Sequence, residues 1–158
     1  MNYPYANQII PRIWIGDVHS SNDRNFLKKN NIQIIVNCTK DLPNVFEPFP
    51  IKELDQQFLD DNFIKYYRVP VDDNGREDEV KNFWEFANQL MPQIMQEYHK
   101  QKNILIHCSA GQQRSCAFTA FLLKQLGMTD EQAFGLIVEK RPNAFNFGRQ
   151  INFAINTN

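Results

Sequence analysis

With 158 residues the chain has the length of one ordinary domain, enough for a real core and too little for a catalytic domain joined to a folded regulatory one. Hydrophobic residues make up 42% and charged residues 22%, and a formal net charge of −1 gives no electrostatic case for a nucleic-acid partner. We expect a single domain, residues 1–158, without a membrane span: there is no signal peptide and no apolar run of bilayer length, Asn2 does not suit N-myristoylation, and Asn156-Thr157-Asn158 is not a prenylation box.

In chain order, Ile9 to Ile15 reads as an opening strand, Gly16-Asp17 as a turn and Asn22 to Asn30 as a short helix. Ile32-Gln33-Ile34-Ile35-Val36 is a β-branched run of the kind found in buried strands. Pro43, Pro48 and Pro50 make the next segment a surface loop or short helical turns. Tyr66 to Val71 is a further strand, and Asp72-Asp73-Asn74-Gly75 a turn.

Glu77, Asp78 and Glu79 place acids at a helix start, and Val80, Phe83, Trp84, Ala87, Met91, Ile94 and Tyr98 recur at three- and four-residue steps. That stripe is a core-facing helix, with Pro92 as a point where it can bend. Ile104-Leu105-Ile106 is a strand, and Cys116 to Leu126 a mostly apolar helix stopped by Gly127. Thr129-Asp130-Glu131-Gln132 has capping-box form and opens a helix ending near Arg141-Pro142, and Gly148 to Ile155 reads as a last short helix. Strands alternating with helices imply an α/β fold: a central, mainly parallel sheet of four to five strands flanked by helices, its active loop at the carboxyl end of a central strand.

The chemistry concentrates in His107-Cys108-Ser109-Ala110-Gly111-Gln112-Gln113-Arg114-Ser115. A loop running from the strand into a helix that begins near Ser115 can turn the amides of residues 109–114 toward one point, where the helix dipole also favours an anion. Cys108 would lie at the bottom of that cradle, with surroundings that lower a thiol pKa and make it a nucleophile. Arg114 supplies a planar fork that binds two phosphoryl oxygens and stabilises charge in the transition state. Gly111 suits a positive φ or a close approach of backbone to the anion, and Ser115 can hydrogen-bond the leaving thiolate. The three cysteines, Cys38, Cys108 and Cys116, lack metal-ligand spacing and fit a reducing compartment, so no metal or cofactor is implied. Cys38 reads as a core residue, and His19 and His99 as surface residues.

This loop resembles the Cys-x5-Arg signature of the protein tyrosine phosphatase superfamily. The order of elements narrows the resemblance to the small, atypical dual-specificity phosphatases, with Ile10 to Gly16 similar to the family's opening strand, Ile32 to Thr39 to its next one and Arg141 to Ile151 to a shortened closing segment. The resemblance implies a phosphatase-type fold, and cysteine-dependent hydrolysis of phosphotyrosine and phosphoserine or phosphothreonine in a phosphorylated protein substrate. Cys108, Arg114, Asp73 and Ser115 would be the catalytic set, residues Ser109, Ala110, Gly111, Gln112, Gln113 and Arg114 would bind phosphate, and His107 would support Cys108. The general acid is placed by resemblance: Tyr66-Tyr67-Arg68-Val69-Pro70-Val71-Asp72-Asp73 puts Asp73 at the family's position, with Asp72 beside it. It would protonate the leaving oxygen and then serve as base for the water that cleaves phosphocysteine. Relatives acting on RNA 5′ phosphates or phosphoinositides often carry basic residues in or beside the loop; here Ser109, Ala110, Gln112 and Gln113 point to a less charged phosphoester. Those two substrate classes, and a phospho-binding protein without turnover, are the alternatives. The expected location is cytoplasmic or another reducing intracellular compartment.

Overall fold

The apolar runs assemble into one sheet in a computed structural model that describes residues 5–40, 56–72 and 76–145. The strands are β1 (Ala6–Ile10), β2 (Ile13–Gly16), β3 (Ile34–Asn37), β4 (Lys65–Arg68) and β5 (Ile104–His107), in the order β1-β2-β5-β3-β4. Among these described strands β1 and β2 pair antiparallel, and every other neighbouring pair is parallel. The helices are α1 (Val18–Ser21), α2 (Arg24–Lys29), α3 (Gln56–Asp61), α4 (Glu77–His99), α5 (Arg114–Gln125) and α6 (Asp130–Lys140). The mainly parallel, helix-flanked sheet expected from the alternation of elements is what forms.

Period-two alternation distributes each strand between two cores. Ile13, Ile15, Ile34, Val36, Ile104 and Ile106 pack with Phe83, Trp84, Met91 and Ile94 of α4, with Phe118 and Leu122 of α5, and with Ile137 of α6. Ile35 and Leu105 face the other way, into a smaller core with Leu27, Ile32, Phe58, Leu59 and Ile64. Both faces being covered, all four residues of β3 and of β5 are buried, and neither strand shows polar alternation. Among the described residues no helix is long and apolar enough to cross a membrane.

Four expectations are revised. The opening strand is a hairpin, β1 and β2 joined at Pro11-Arg12, where Arg12 takes a φ of 75°. Its guanidinium lies 4.1 Å from the Tyr98 ring centroid and its Nη1 donates to the Tyr98 carbonyl, which offsets the strained backbone. The turn expected at Gly16-Asp17 leads directly into α1, because the Asp17 carboxylate accepts from His19 N at 2.9 Å and Ser20 N at 3.1 Å and so caps a helical turn. β4 stops at Arg68 instead of reaching Val71: beyond Pro70, the Val71 amide donates to Val69 O at 2.9 Å, a tight turn in place of a ladder bond. α5 begins at Arg114, two residues before Cys116.

Elsewhere the elements form where expected, with β3 starting at Ile34 in place of Ile32 and α2 at Arg24 in place of Asn22. α4 runs unbroken through Pro92, which is exposed. α5 ends in a Schellman motif, with Gly127 at φ 106°, its amide on Lys124 O and the Met128 amide on Leu123 O. Thr129 and Gln132 form the reciprocal capping box of α6. Cys38 is buried and His19 and His99 are exposed. The loop of Pro43, Pro48 and Pro50, the Asp73-Asn74-Gly75 part of the turn and the helix at Gly148 to Ile155 lie outside the described residues.

Phe118 is fully buried where α5 meets the sheet. Phe118→Ala should lower unfolding stability by about 3–5 kcal/mol and Phe118→Leu by clearly less, measured as urea midpoints, because the alanine leaves a cavity the rigid sheet cannot close.

Candidate active site

The parallel register decides where the chemistry sits. Gly16 of β2, His107 of β5 and Asn37 of β3 lie side by side in the ladder, so the chain leaves the sheet at His107 between two other carboxyl ends. Cys38 N donates to His107 O at 2.7 Å and Cys108 N to Gly16 O at 3.4 Å, extending the pairing into the first residue of the loop. Six residues later α5 begins, its first residues Arg114 and Ser115 both buried.

Cys108 is 2% exposed. Its Sγ lies 3.2 Å from Ser115 Oγ and accepts from the Gly111 amide at 3.2 Å. Burial is the largest influence on this thiol and pushes its pKa up, but the Arg114 charge, the Ser115 hydroxyl and amide and the Gly111 amide together outweigh it and leave the pKa below the ordinary value. The other two cysteines show the contrast: burial dominates at Cys38 and Cys116 and raises both. One thiol of three is adjusted to ionise.

Gly111 has φ 69°, and a Cβ there would fall 2.5 Å from Arg141 Nη2 and 2.6 Å from Gly16 O, so both conformation and space require glycine. Ala110 is exposed, Ser109 and Gln112 are half-buried, and Gln113 is 3% exposed. The side chain of Gln113 is therefore turned into the fold, and what this residue can offer an anion is its amide. The Val18 amide at the start of α1 donates to Ser109 O at 3.1 Å, and the Phe145 amide donates to Gln112 O at 2.7 Å.

Arg114 is 6% exposed, with Nη1 donating to Val71 O at 2.8 Å and Nε buried without a partner among the described residues. A buried, unsatisfied cationic donor beside an ionisable thiol is what an oxyanion would complete. The Val71 bond also ties the loop's arginine to the segment that precedes Asp73. Asp73 itself lies outside the described residues, whereas Asp72 is half exposed, with its carboxylate 3.9 Å from Lys40 Nζ and its amide on Glu79 Oε2 at 3.0 Å.

His107 is 1% exposed, and its Nδ1 lies 3.3 Å from Cys108 O. A carbonyl only accepts, so Nδ1 carries the proton and the ring braces the backbone of Cys108. Burial, reinforced by the charges of Arg68 and Arg114, lowers its pKa to about 4. The sequence-predicted residues His107, Cys108, Gly111, Arg114 and Ser115 are thus brought together. Val18 and Phe145 hold the loop without having been singled out; backbone donors carry no side-chain pattern that could have found them.

Residues 13–155 match the family described as dual specificity phosphatase, catalytic domain. The chain belongs to the dual specificity phosphatase catalytic-domain family. It is 29% identical over 150 residues to dual specificity protein phosphatase Mpk3 of Drosophila melanogaster, a match covering 91% of this chain and 32% of that protein. To human dual specificity protein phosphatase 6 it is 27% identical over 148 residues, covering 91% of this chain and 35% of the relative. The chain thus spans about a third of the length of these curated relatives. The fold also matches the crystal structure of human DUSP28 with a TM-score of 0.66 at 19% identity, over 91% of this chain and 85% of that one.

In this family member the buried histidine sets a pH dependence. His107 has a folded pKa of about 4, below the ordinary 6.5, so from pH 6.5 down to about 4 the unfolded chain takes up a proton that the folded chain refuses. Its contribution to stability is complete above about pH 6.5 and falls as the pH drops, by about 1.4 kcal/mol per unit and about 3 kcal/mol in all. Urea unfolding from pH 7.5 to 4.5 should show this slope, and His107→Asn should flatten it.

Proposed function

We propose that this phosphatase-family domain hydrolyses phosphotyrosine and phosphoserine or phosphothreonine in protein substrates through a phosphocysteine intermediate. The observation that carries the reading is Cys108, a thiol buried to 2% exposure whose pKa nonetheless lies below the ordinary value. Burial alone would make it inert. Donors that overcome burial serve an anion, whether a thiolate or the phosphate it attacks.

In the first step the Cys108 thiolate forms a sulfur–phosphorus bond while the bond from phosphorus to the leaving oxygen breaks, and Asp73 gives that oxygen its proton. In the second, water attacks phosphorus, its proton passes to Asp73, and the sulfur–phosphorus bond breaks to return the thiolate. Arg114 binds two phosphoryl oxygens with its fork, including the Nε–H that has no partner among the described residues. The Ser115 hydroxyl, 3.2 Å from Sγ, donates to the sulfur as it departs. Residues Ser109 to Gln113 bind phosphate through amides, and His107 braces Cys108 from behind. The choice of Asp73 over Asp72 is supported by the pairing of Asp72 with Lys40 at the surface.

The substrate class is supported by the absence of basic side chains among Ser109, Ala110, Gly111, Gln112 and Gln113, which leaves Arg114 as the loop's only full charge. A single phosphoester on a protein suits that charge better than a polyanionic lipid or RNA end. A thiolate nucleophile works only while reduced, so the proposed setting is cytoplasmic or another reducing intracellular compartment.

Purified protein should turn over a small aryl phosphate in the presence of a metal chelator. Cys108→Ser should remove at least about 10⁴-fold of that rate, Asp73→Asn should lower kcat by about 10²–10³-fold, and Asp72→Asn should change it only a few-fold. Initial rates on phosphotyrosyl, phosphoseryl and phosphothreonyl peptides then test the substrate class. An inert wild type under reducing conditions, or a Cys108→Ser protein with substantial turnover, would overturn the reading.

A further inference from the structure

A trans peptide unit is planar, with its C=O and N–H on opposite sides, so fixing one fixes the other. Four consecutive carbonyls of the loop are bound: Ser109 O by Val18 N, Ala110 O by Arg141 Nη2 at 3.2 Å, Gly111 O by Arg141 Nε at 2.7 Å, and Gln112 O by Phe145 N. Each carbonyl so held turns the next residue's N–H to the other side of the loop. The structure contains a check on this rule, because the amide paired with Ala110 O is that of Gly111, which donates to Cys108 Sγ.

Two of the four carbonyls, adjacent to one another, share one side chain, with the Cys116 thiol adding a longer contact to Gly111 O at 3.4 Å. Arg141 caps the carboxyl end of α6, is 1% exposed, and completes its fork with Nη1 on Asn7 Oδ1 of β1 at 2.8 Å. The planar guanidinium spans three acceptors in fixed directions, which the single ammonium of lysine cannot do. Packing leaves it no slack: even a methyl on Gly111 would meet Nη2.

We infer that Arg141, oriented by Asn7, is a positioning residue for the phosphate-binding loop, aiming the Gly111 and Gln112 amides at Cys108 and the phosphate by holding the Ala110 and Gly111 carbonyls from behind. It touches neither the thiol nor the substrate. That the amides receive phosphate rests on the phosphatase reading above; that they are aimed by Arg141 does not. α6 and the β1–β2 hairpin, neither of which carries a reacting group, thereby set the geometry of the anion site. The residue differs in kind from Arg114, which sits in the cradle.

The test uses the intact chain with Arg141→Lys, which keeps a cation but not the fork, and Asn7→Ala, which leaves Arg141 in place but frees its far end. Three quantities are read at a temperature where circular dichroism shows each variant folded: the Cys108 midpoint from the pH dependence of alkylation and of thiolate absorbance, inhibition by tungstate, and kcat on an aryl phosphate. In Arg141→Lys the thiol midpoint should rise by about one unit, the size of one hydrogen bond to a charged group, and tungstate inhibition should weaken about tenfold. Its kcat should fall by about 10²-fold, as for a misplaced catalytic group, with a smaller change in KM. Asn7→Ala should move all three in the same direction by less. A purely structural role predicts a lower Tm with wild-type thiol midpoint and wild-type tungstate inhibition; that result in either folded variant would overturn the inference. Because titration and oxyanion binding do not require turnover, a wild type that binds tungstate but hydrolyses nothing would sink the functional reading and leave this one to be judged separately.

Discussion

A sulfur anion at Cys108 has almost no water around it, and a buried charge without compensation would cost several kcal/mol, enough to keep the thiol protonated at neutral pH. Compensation has to be supplied by groups already in place, because a loop that reorganised to meet the charge would lose the interaction energy in ordering itself. The Gly111 and Ser115 amides, the Ser115 hydroxyl and the Arg114 guanidinium are that supply. At Cys38 and Cys116, equally buried, the lowering influences are too weak to offset burial, and both stay high. The rest of the architecture keeps those donors aimed.

The sheet does this by register. Because Gly16, His107 and Asn37 are in line, the loop emerges where β2 and β3 end beside it, and its first amide pairs with Gly16 before the curve begins. α1 starts at the same level and supplies the Val18 amide to Ser109 O, while α6 ends beside the loop and brings Arg141 and then Phe145 to the next three carbonyls. The start of α1 contributes an amide that its own hydrogen bonding leaves over, whereas the residues that follow α6 contribute a side chain and an amide. The parallel sheet is thus the reason the site exists at one edge and not the other.

Much of this was legible in the sequence because it is encoded in local pattern. The strand before Cys108, the fork of Arg114 five residues on from Ser109, the glycine at the positive-φ position and the stripe of α4 all have spacings that physical rules recognise. The hairpin was not legible, since Pro11-Arg12 carries no glycine or asparagine to mark a turn, and the strain at Arg12 is met by Tyr98, which is 86 residues away. The early end of β4 turned on a single amide, that of Val71, choosing Val69 O over the neighbouring strand. The inward direction of Gln113 and the grip of Arg141 on the loop are also tertiary facts: helix-end arginines are common, and nothing in Lys140-Arg141-Pro142 says that a guanidinium 30 residues from Gly111 will meet its carbonyl.

Two buried nitrogens of the site weigh on the fold itself, the Arg114 Nε donor and the His107 Nε2 acceptor. Among the described residues neither has a partner, each a penalty of about 1–3 kcal/mol. They differ in what could relieve them. His107 is neutral and braces a carbonyl, so its spare nitrogen is a by-product of a ring held for its other edge. Arg114 is a cation whose Nη1 is already anchored to Val71 O, which leaves its remaining donors fixed in direction and unable to relax toward solvent. Folding therefore bears in advance the cost of desolvating and orienting this guanidinium, and an oxyanion entering the loop meets donors that need no further ordering. Where binding energy would otherwise be used to arrange the site, here it is free to act on phosphorus.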